Sequence, residues 1–254
     1  MFALRSFSKR SLFACLPVLI ASASTAPASI NLEWRPVGQT VLVDDVVHLG
    51  LYAVSDSGNN QLLSAIDLLF SWDPNKLELQ GLDPTGGAGL LFSGFPVNDA
   101  FNLNEVVPPQ DGDGYYVALA NFGSSVAATP SGTLLTTFLF RALAETPSTQ
   151  VLIEETAGSP EGRTVVFDGT IPNTDVTGTL GSATVTIVLC LCPGDMNGDD
   201  VLNGSDIQTF IDCQLGLLPP PADCNCADLN GINGLDFDDI SLFVEALITK
   251  MSCP

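Results

Sequence analysis

The chain is poor in positive charge: eight lysines and arginines stand against 29 aspartates and glutamates in 254 residues. Arg5, Lys9 and Arg10 lie within the first 28 residues, which hold no acid. Beyond them, five basic residues face 29 acids, a formal charge near −24. Nucleic acid and anionic membrane surfaces repel such a chain, so neither is expected as a partner. Histidine is almost missing. His48 stands alone in an alternating stretch, which leaves a serine or cysteine hydrolase one possible base and no supporting motif. No cysteine occurs between Cys15 and Cys190. Runs long enough to span a bilayer are also lacking: "LFACLPVLIA" (12–21) is about half of the ~20 residues required. Basic residues precede that run and the small residues "ASASTAPA" (21–28) follow it, the order of a secretory signal peptide. Almost no apolar stretch precedes Cys15, which argues against a lipidated start. The expected product is exported to the extracellular side and soluble, after cleavage within 21–28.

From about residue 29 to 189 the texture is that of short strands. "VVHLGLYAV" (46–54), "LLSAIDLLFSW" (62–72), "YYVALANF" (115–122), "TLLTTFLFRAL" (133–143), "TVVF" (164–167) and "ATVTIV" (183–188) are rich in Val, Leu, Thr and aromatics. Several alternate with period two, as in Leu134, Thr136, Phe138 and Phe140. Turn clusters such as "SDSGNN" (55–60), "DPTGGAG" (83–89) and "PPQDGDG" (108–114) separate them. Many short strands in about 160 residues predict a β-sandwich, each sheet burying one face.

Past residue 190 the chain changes to acids, cysteines and helix patterns, and it repeats itself. "DMNGDDVLNGSDIQTFI" (195–211) aligns with "DLNGINGLDFDDISLFV" (228–244) at a period of 33 residues, placing repeats at 194–216 and 227–249. In the second copy Ile240, Phe243, Val244, Leu247 and Ile248 form a helical stripe, so the two helices are expected to bury their apolar faces against each other. The oxygen-bearing residues fall at the offsets of an EF-hand calcium loop. In the first copy they are Asp195, Asn197, Asp199, the Val201 carbonyl, Asn203 and Asp206. In the second they are Asp228, Asn230, the Gly234 carbonyl, Asp236 and Asp239. Calcium takes six to eight hard oxygen ligands, and alternate positions let a tight loop wrap it. The rival reading is an acidic turn whose last acid caps a helix; two copies in register favour the metal. Ile232 occupies the fifth position of the second loop and has no oxygen to offer, so the second calcium site is expected to be the weaker. The six cysteines of this tail, Cys190, Cys192, Cys213, Cys224, Cys226 and Cys253, have no histidine or CxxC pair beside them. Disulfides are therefore expected over zinc, with a local bridge from Cys213 to Cys224 or Cys226.

Two calcium loops with Asp at the twelfth position, each followed by one helix and preceded by none, resemble a dockerin module over about 193–250. The resemblance implies calcium-dependent docking onto cohesin-type modules in extracellular assemblies, best known for polysaccharide breakdown. It also implies partner contacts at loop positions ten and eleven, here Gly204 and Ser205, then Phe237 and Asp238. Dockerin-like folds bring their ends together, which implies a terminal clasp between Cys190 or Cys192 and Cys253. The segments "VGQTVLVDDVVHLGLYAV" (37–54), "IDLLFSWDPNKLEL" (66–79), "GYYVALANF" (114–122) and "SGTLLTTFLFRA" (131–142) follow the order of a cohesin-like jelly-roll sandwich. The Asp73-Pro74 turn, with Leu77 and Leu79 returning to the core, is the most telling part. Several carbohydrate-binding modules share that sandwich.

Three functions compete. The first is a non-catalytic scaffold or adaptor with a calcium-binding docking tail. The second is a polysaccharide-binding module carried by such a tail, for which Trp34, Tyr52, Trp72, Tyr115 and Tyr116 are the candidate rings; Trp72 reads as core, and Tyr115 and Tyr116 must point to opposite faces. The third is a small glycosidase, which needs two carboxylates across a cleft. Glu78, Glu105, Glu154, Glu155 and Glu161 are present, but nothing in the sequence pairs them. A non-enzyme is expected.

Overall fold

The computed structural model describes residues 28–253 apart from 91, 98–99, 121–124, 171–173, 219–223, 233 and 250–252. The expected leader falls outside the described residues, Ala28 excepted. Two sheets form the larger part. One has five strands in the order Thr177–Leu180, Ile30–Arg35, Val46–Ser55, Thr133–Ala142, Leu77–Asp83. The other runs Gly38–Leu42, Ser182–Val188, Thr146–Glu154, Ala65–Trp72, Asp113–Leu119, Phe92–Gly94, with Val165–Phe167 also pairing to Ala65–Trp72. The chain passes from one sheet to the other between Arg35 and Gly38, which ties the layers covalently at one corner.

Alternation decides what lies between the sheets. Ile30, Leu32 and Trp34 face inward from one strand, and Ile66, Leu68, Phe70 and Trp72 from the opposite sheet. Phe138 sits at the centre, with ring centroids 5.0 Å from both Trp34 and Phe70 and 5.4 Å from Tyr116, all edge-on. Such contacts add to burial because the positive ring edge meets the negative face. The expected alternation along 134–140 holds from Thr136 onward. A register shift between Leu134 and Thr136 places Leu135 inside as well.

The turn after Trp72 is built by Asp73. Its carboxylate accepts the Asn75 N–H at 2.9 Å and its carbonyl accepts the N–H groups of Lys76 and Leu77 at 3.0 Å. Leu77 and Leu79 return to the core, and the Trp72 indole N–H donates to the Leu77 carbonyl at 2.9 Å. The single run expected over 62–72 is instead two strands, Gln61–Leu63 and Ala65–Trp72. Ser64 leaves the ladder to bond the Phe167 carbonyl through both its N–H and its hydroxyl, and Gln61–Leu63 pairs with Val126–Ala128.

In the tail, α1 (Ile207–Gln214) and α2 (Phe237–Thr249) each follow one loop. Leu202, Phe210, Cys213, Ala227, Phe243 and Ala246 form a second core, in which the Phe210 and Phe243 rings stack 4.0 Å apart. Three disulfides close it: Cys190–Cys226, Cys192–Cys253 and Cys213–Cys224. The local bridge takes Cys224, and the terminal clasp takes Cys192. The expectation that the helices bury their stripes fully needs correction. Ile207, Ile211 and Val244 are exposed, and Ile248 is 76% exposed. α1 has eight residues against thirteen in α2, which leaves Ile248 at the end of the longer stripe with no helix opposite it, whereas Ile207, Ile211 and Val244 line an open groove between the two helices.

The two tryptophans give a contrast in the sandwich. The Trp34 indole N–H is buried among the described residues without a hydrogen-bond partner, whereas that of Trp72 is bonded. Trp72→Phe strands the Leu77 carbonyl, while Trp34→Phe removes a donor that gained nothing. Urea unfolding is expected to show Trp72→Phe costlier by about 1–3 kcal/mol. Equal losses would mean that the hydrogen bond contributes nothing.

Candidate metal-binding loops

Each tail loop is held by carboxylates that accept its own backbone N–H groups. Asp206 is fully buried: one oxygen accepts the N–H groups of Met196 (2.8 Å) and Asn197 (3.2 Å), the other that of Asn203 (2.8 Å). Asp239, also fully buried, repeats this 33 residues later with Leu229 (2.9 Å), Asn230 (3.2 Å) and Asp236 (2.8 Å). The correspondence extends along the loops. Asp195 and Asp228 accept the N–H groups of Gly198 and Gly231, both at 2.8 Å. Asn197 and Asn230 accept those of Asp199 (2.9 Å) and Ile232 (2.7 Å). Asn203 and Asp236 accept those of Ser205 and Asp238, both at 2.8 Å. Gly198 and Gly231 share a left-handed conformation, φ 73° and 66°, which glycine adopts without strain.

This geometry argues against a simple acidic turn with a capped helix. Asp206 stands at the residue before α1, yet its side chain makes no capping bond to that helix. Both oxygens are turned back into the loop. Burying an anion costs several kcal/mol unless a cation or donors compensate. All ion pairs among the described residues lie in the sandwich: Arg35–Glu33, Arg141–Asp44, Arg141–Glu78 and Arg163–Asp175. The loop donors are neutral amides, and a carboxylate has about four acceptor positions, so capacity for a cation remains on each buried acid. Residues with only oxygen donors, some aspartate and some amide, suit a hard ion such as calcium.

In the first loop the other Asp195 oxygen accepts the Asp200 N–H at 2.8 Å; the counterpart of Asp200 in the second loop, Asn233, lies outside the described residues. Asp199 accepts the N–H of Val201 at 3.0 Å. Ile232 offers no such acceptor and points outward, exposed. Among the described residues, one trio of ligand-type side chains comes within 4.8 Å of one another: Cys192, Asp195 and Cys253. Both cysteines share a disulfide, so the trio offers no thiolates. Acids on opposite sides of an ion bound at 2.3–2.6 Å stand about 5 Å apart, so a loop of this kind need not gather them closer.

The remaining sequence candidates are dispersed. Gly204, Ser205, Phe237 and Asp238 are exposed at the starts of the two helices. Beside them an open groove is lined by Ile207, Ile211, Leu215, Ile240, Val244 and Leu247, with Phe210 and Phe243 as its floor. The sequence left this groove unseen, because its residues read as helix interface. Trp34, Trp72 and Tyr116 are buried, Tyr115 is half-buried and donates its hydroxyl to Asp67, and the Tyr52 ring lies under Arg35 at 4.6 Å. The platform of exposed rings required by the sugar-binding reading is therefore not formed by these five. Glu78 is held by Arg141, Glu154 accepts the Ser71 hydroxyl, and Glu105, Glu155, Glu161 and His48 are exposed.

No family model matches the chain, and no curated protein does. Among solved structures, a cohesin module of a family 33 glycoside hydrolase from Clostridium perfringens is similar at TM-score 0.45 and 13% identity, over 63% of this chain and 97% of that one. The sixth cohesin of scaffoldin B from Acetivibrio cellulolyticus, solved in complex with a dockerin, gives 0.44 and 17%, over 63% and 99%. The seventh type I cohesin of Pseudobacteroides cellulosolvens gives 0.43 and 12%, over 64% and 94%. These similar structures are themselves cohesins, which overturns the expectation of a cohesin-type partner for this chain. No helix among the described residues is long and apolar enough to cross a membrane.

Removing a buried carboxylate should collapse its loop with or without metal. Asp206→Ala leaves the N–H groups of Met196, Asn197 and Asn203 without their acceptor. Melts in chelator, read by helical circular dichroism, are expected to show a loss of about 3 kcal/mol or more. Glu245→Ala, exposed on α2, is expected to stay within about 0.5 kcal/mol. Similar small changes in both would refute the role assigned to Asp206.

Proposed function

We propose that this chain is an exported, non-catalytic adaptor: a cohesin-like sandwich followed by a dockerin-like tail that binds two calcium ions. The observation that carries the reading is the repetition, at a period of 33 residues, of the same carboxylate-to-amide bonds in both loops. Side-chain oxygens would come from Asp195, Asn197, Asp199, Asn203 and Asp206 in one loop, and from Asp228, Asn230, Asp236 and Asp239 in the other. The carbonyls of Val201 and Gly234 would complete the sets. Calcium supplies the positive charge that draws these acids together, and by binding the native state alone it stabilises the tail. The disulfides keep the small core closed and suit an oxidising, extracellular setting. In place of a cohesin-type partner, the sandwich takes a dockerin-type module, which a binding panel of such modules against the full chain would test.

Calorimetric titration of the full chain is expected to show two calcium-binding events, the stronger with Kd of about 10⁻⁴ to 10⁻³ M or below. Asp195→Ala should lower the calcium-dependent rise in Tm more than Asp228→Ala, because the second loop already lacks an oxygen at Ile232. No heat of binding above the chelator baseline would end the calcium reading. Equal effects of the two substitutions would show that Ile232 is fully compensated.

A further inference from the structure

An ordinary calcium loop of this type has a helix leading into its first ligand. Here neither loop has one. Residues 189–194 form no helix, and only the three-residue turn Asn225–Ala227 precedes Asp228. We propose that two of the three disulfides replace those helices as positioning devices: Cys192–Cys253 and Cys190–Cys226 hold the first ligands, Asp195 and Asp228, where calcium needs them. This rests on the proposed calcium binding and concerns the cysteines that support it.

Several contacts converge on Asp195. Its N–H donates to the Cys192 carbonyl at 3.1 Å, closing a four-residue turn from Cys192 to Asp195. A carboxylate oxygen lies within 4.8 Å of the Sγ atoms of both Cys192 and Cys253, and the residue is almost fully buried. That carboxylate in turn gathers the N–H groups of Gly198, Asp199 and Asp200. The clasp thus packs against the group that gathers the amides of the loop's first half. Its removal frees Asp195 to move, and the loop with it.

The second bridge acts on both lead-ins together. Cys226 lies two residues before Asp228, and its carbonyl accepts the N–H of Gly194, the residue before Asp195, at 2.7 Å. Its disulfide partner Cys190 lies on the approach to the first loop. Gly194 is tightly seated: a Cβ there would come within 2.8 Å of the Leu202 side chain, and its φ is 94°. The two lead-ins are therefore crosslinked and hydrogen-bonded side by side. Cys213–Cys224 differs. It joins the last turn of α1 to the segment ahead of the short turn, touches neither first ligand in sequence, and serves the core.

Groups that orient a metal ligand without touching the metal typically change affinity by 10- to 100-fold when removed. All disulfides stabilise a fold by constraining the unfolded chain, so stability alone cannot reveal positioning. Site-resolved calcium affinity can. The amides of Gly198 and Gly231 report one loop each, and calcium titrations followed by their NMR resonances give two separate Kd values in the full-length oxidised protein. Cys192→Ser with Cys253→Ser is expected to raise the first-loop Kd about tenfold and leave the second within about twofold. Cys213→Ser with Cys224→Ser is expected to lower Tm but leave both Kd values within about twofold. An unchanged first-loop Kd in the clasp variant, or an equal rise in the control pair, overturns the proposal. Should the clasp variant fold only with calcium, hydrogen exchange at saturation replaces the titration. Faster exchange of the Gly198 amide with the Gly231 amide unaltered supports positioning; equal protection overturns it. A wild-type protein whose two glycine amides ignore calcium overturns the calcium reading and this inference with it, whereas a calcium-binding wild type with an indifferent clasp variant overturns this inference alone.

Discussion

The tail depends on one kind of interaction: a fully buried carboxylate accepting three backbone amides from the loop that precedes its helix. Asp206 and Asp239 each tie the beginning of a loop to its end, the first just before α1 and the second in the first turn of α2. The consequence is mechanical. A loop wound around its last acid delivers the following helix at a set angle, and two such helices bring Phe210 and Phe243 face to face. The core of the tail is therefore downstream of its electrostatics. In the sandwich the order is reversed, since alternation of apolar side chains builds the core first and charges such as Arg141 and Glu78 settle on its outside.

Size explains the difference. A sandwich with more than two dozen buried apolar residues can hold itself by burial. The tail core has six, one of them a disulfide cysteine. A module that small requires staples, and the chain combines crosslinks and loop hydrogen bonds with the proposed metal. The incomplete coverage of the helix stripes follows as well. With α1 stopping after eight residues, Ile248 is left exposed, and the small core leaves an open groove between the helices at Ile207, Ile211 and Val244.

How far these features could be read beforehand depended on whether the signal was local. Strands that alternate cleanly, such as Ser182–Val188, announced themselves, and so did the turn at Asp73. Thr146–Glu154 did not, because Pro147, Ser148 and Thr149 open it with residues that favour turns. Nor did the parallel pairing of Gly38–Leu42 with Ser182–Val188, which joins segments more than a hundred residues apart. The loop acids were visible because their spacing is itself the chemistry. The choice between Cys190 and Cys192, or between Cys224 and Cys226, was not, because each pair is separated by one residue and only the folded lead-ins decide which sulfur faces which. The sugar-binding rings failed for a similar reason: composition counts aromatics, whereas strand register buries them.

The inequality of the two loops separates two roles that their repetition otherwise merges. None of the bonds that Asp228, Asn230, Asp236 and Asp239 share with the first loop involves a side chain at the fifth position. The second loop therefore keeps these shared bonds despite Ile232, although its path departs from the first at the seventh position, where Gly234 is left-handed (φ 71°) and Val201 is not. At the fifth position the first loop has Asp199, whose carboxylate accepts from the Asn197 side-chain amide and the Val201 N–H. Side chains at the first, third, ninth and twelfth positions make the backbone bonds common to both loops, and the fifth adds one, from the Val201 N–H, in the first loop alone. Replacing its acid by an apolar residue removes that bond and one candidate calcium oxygen while leaving the shared bonds in place. A duplicated module can thus tune one site against the other without disturbing the helices that both loops present.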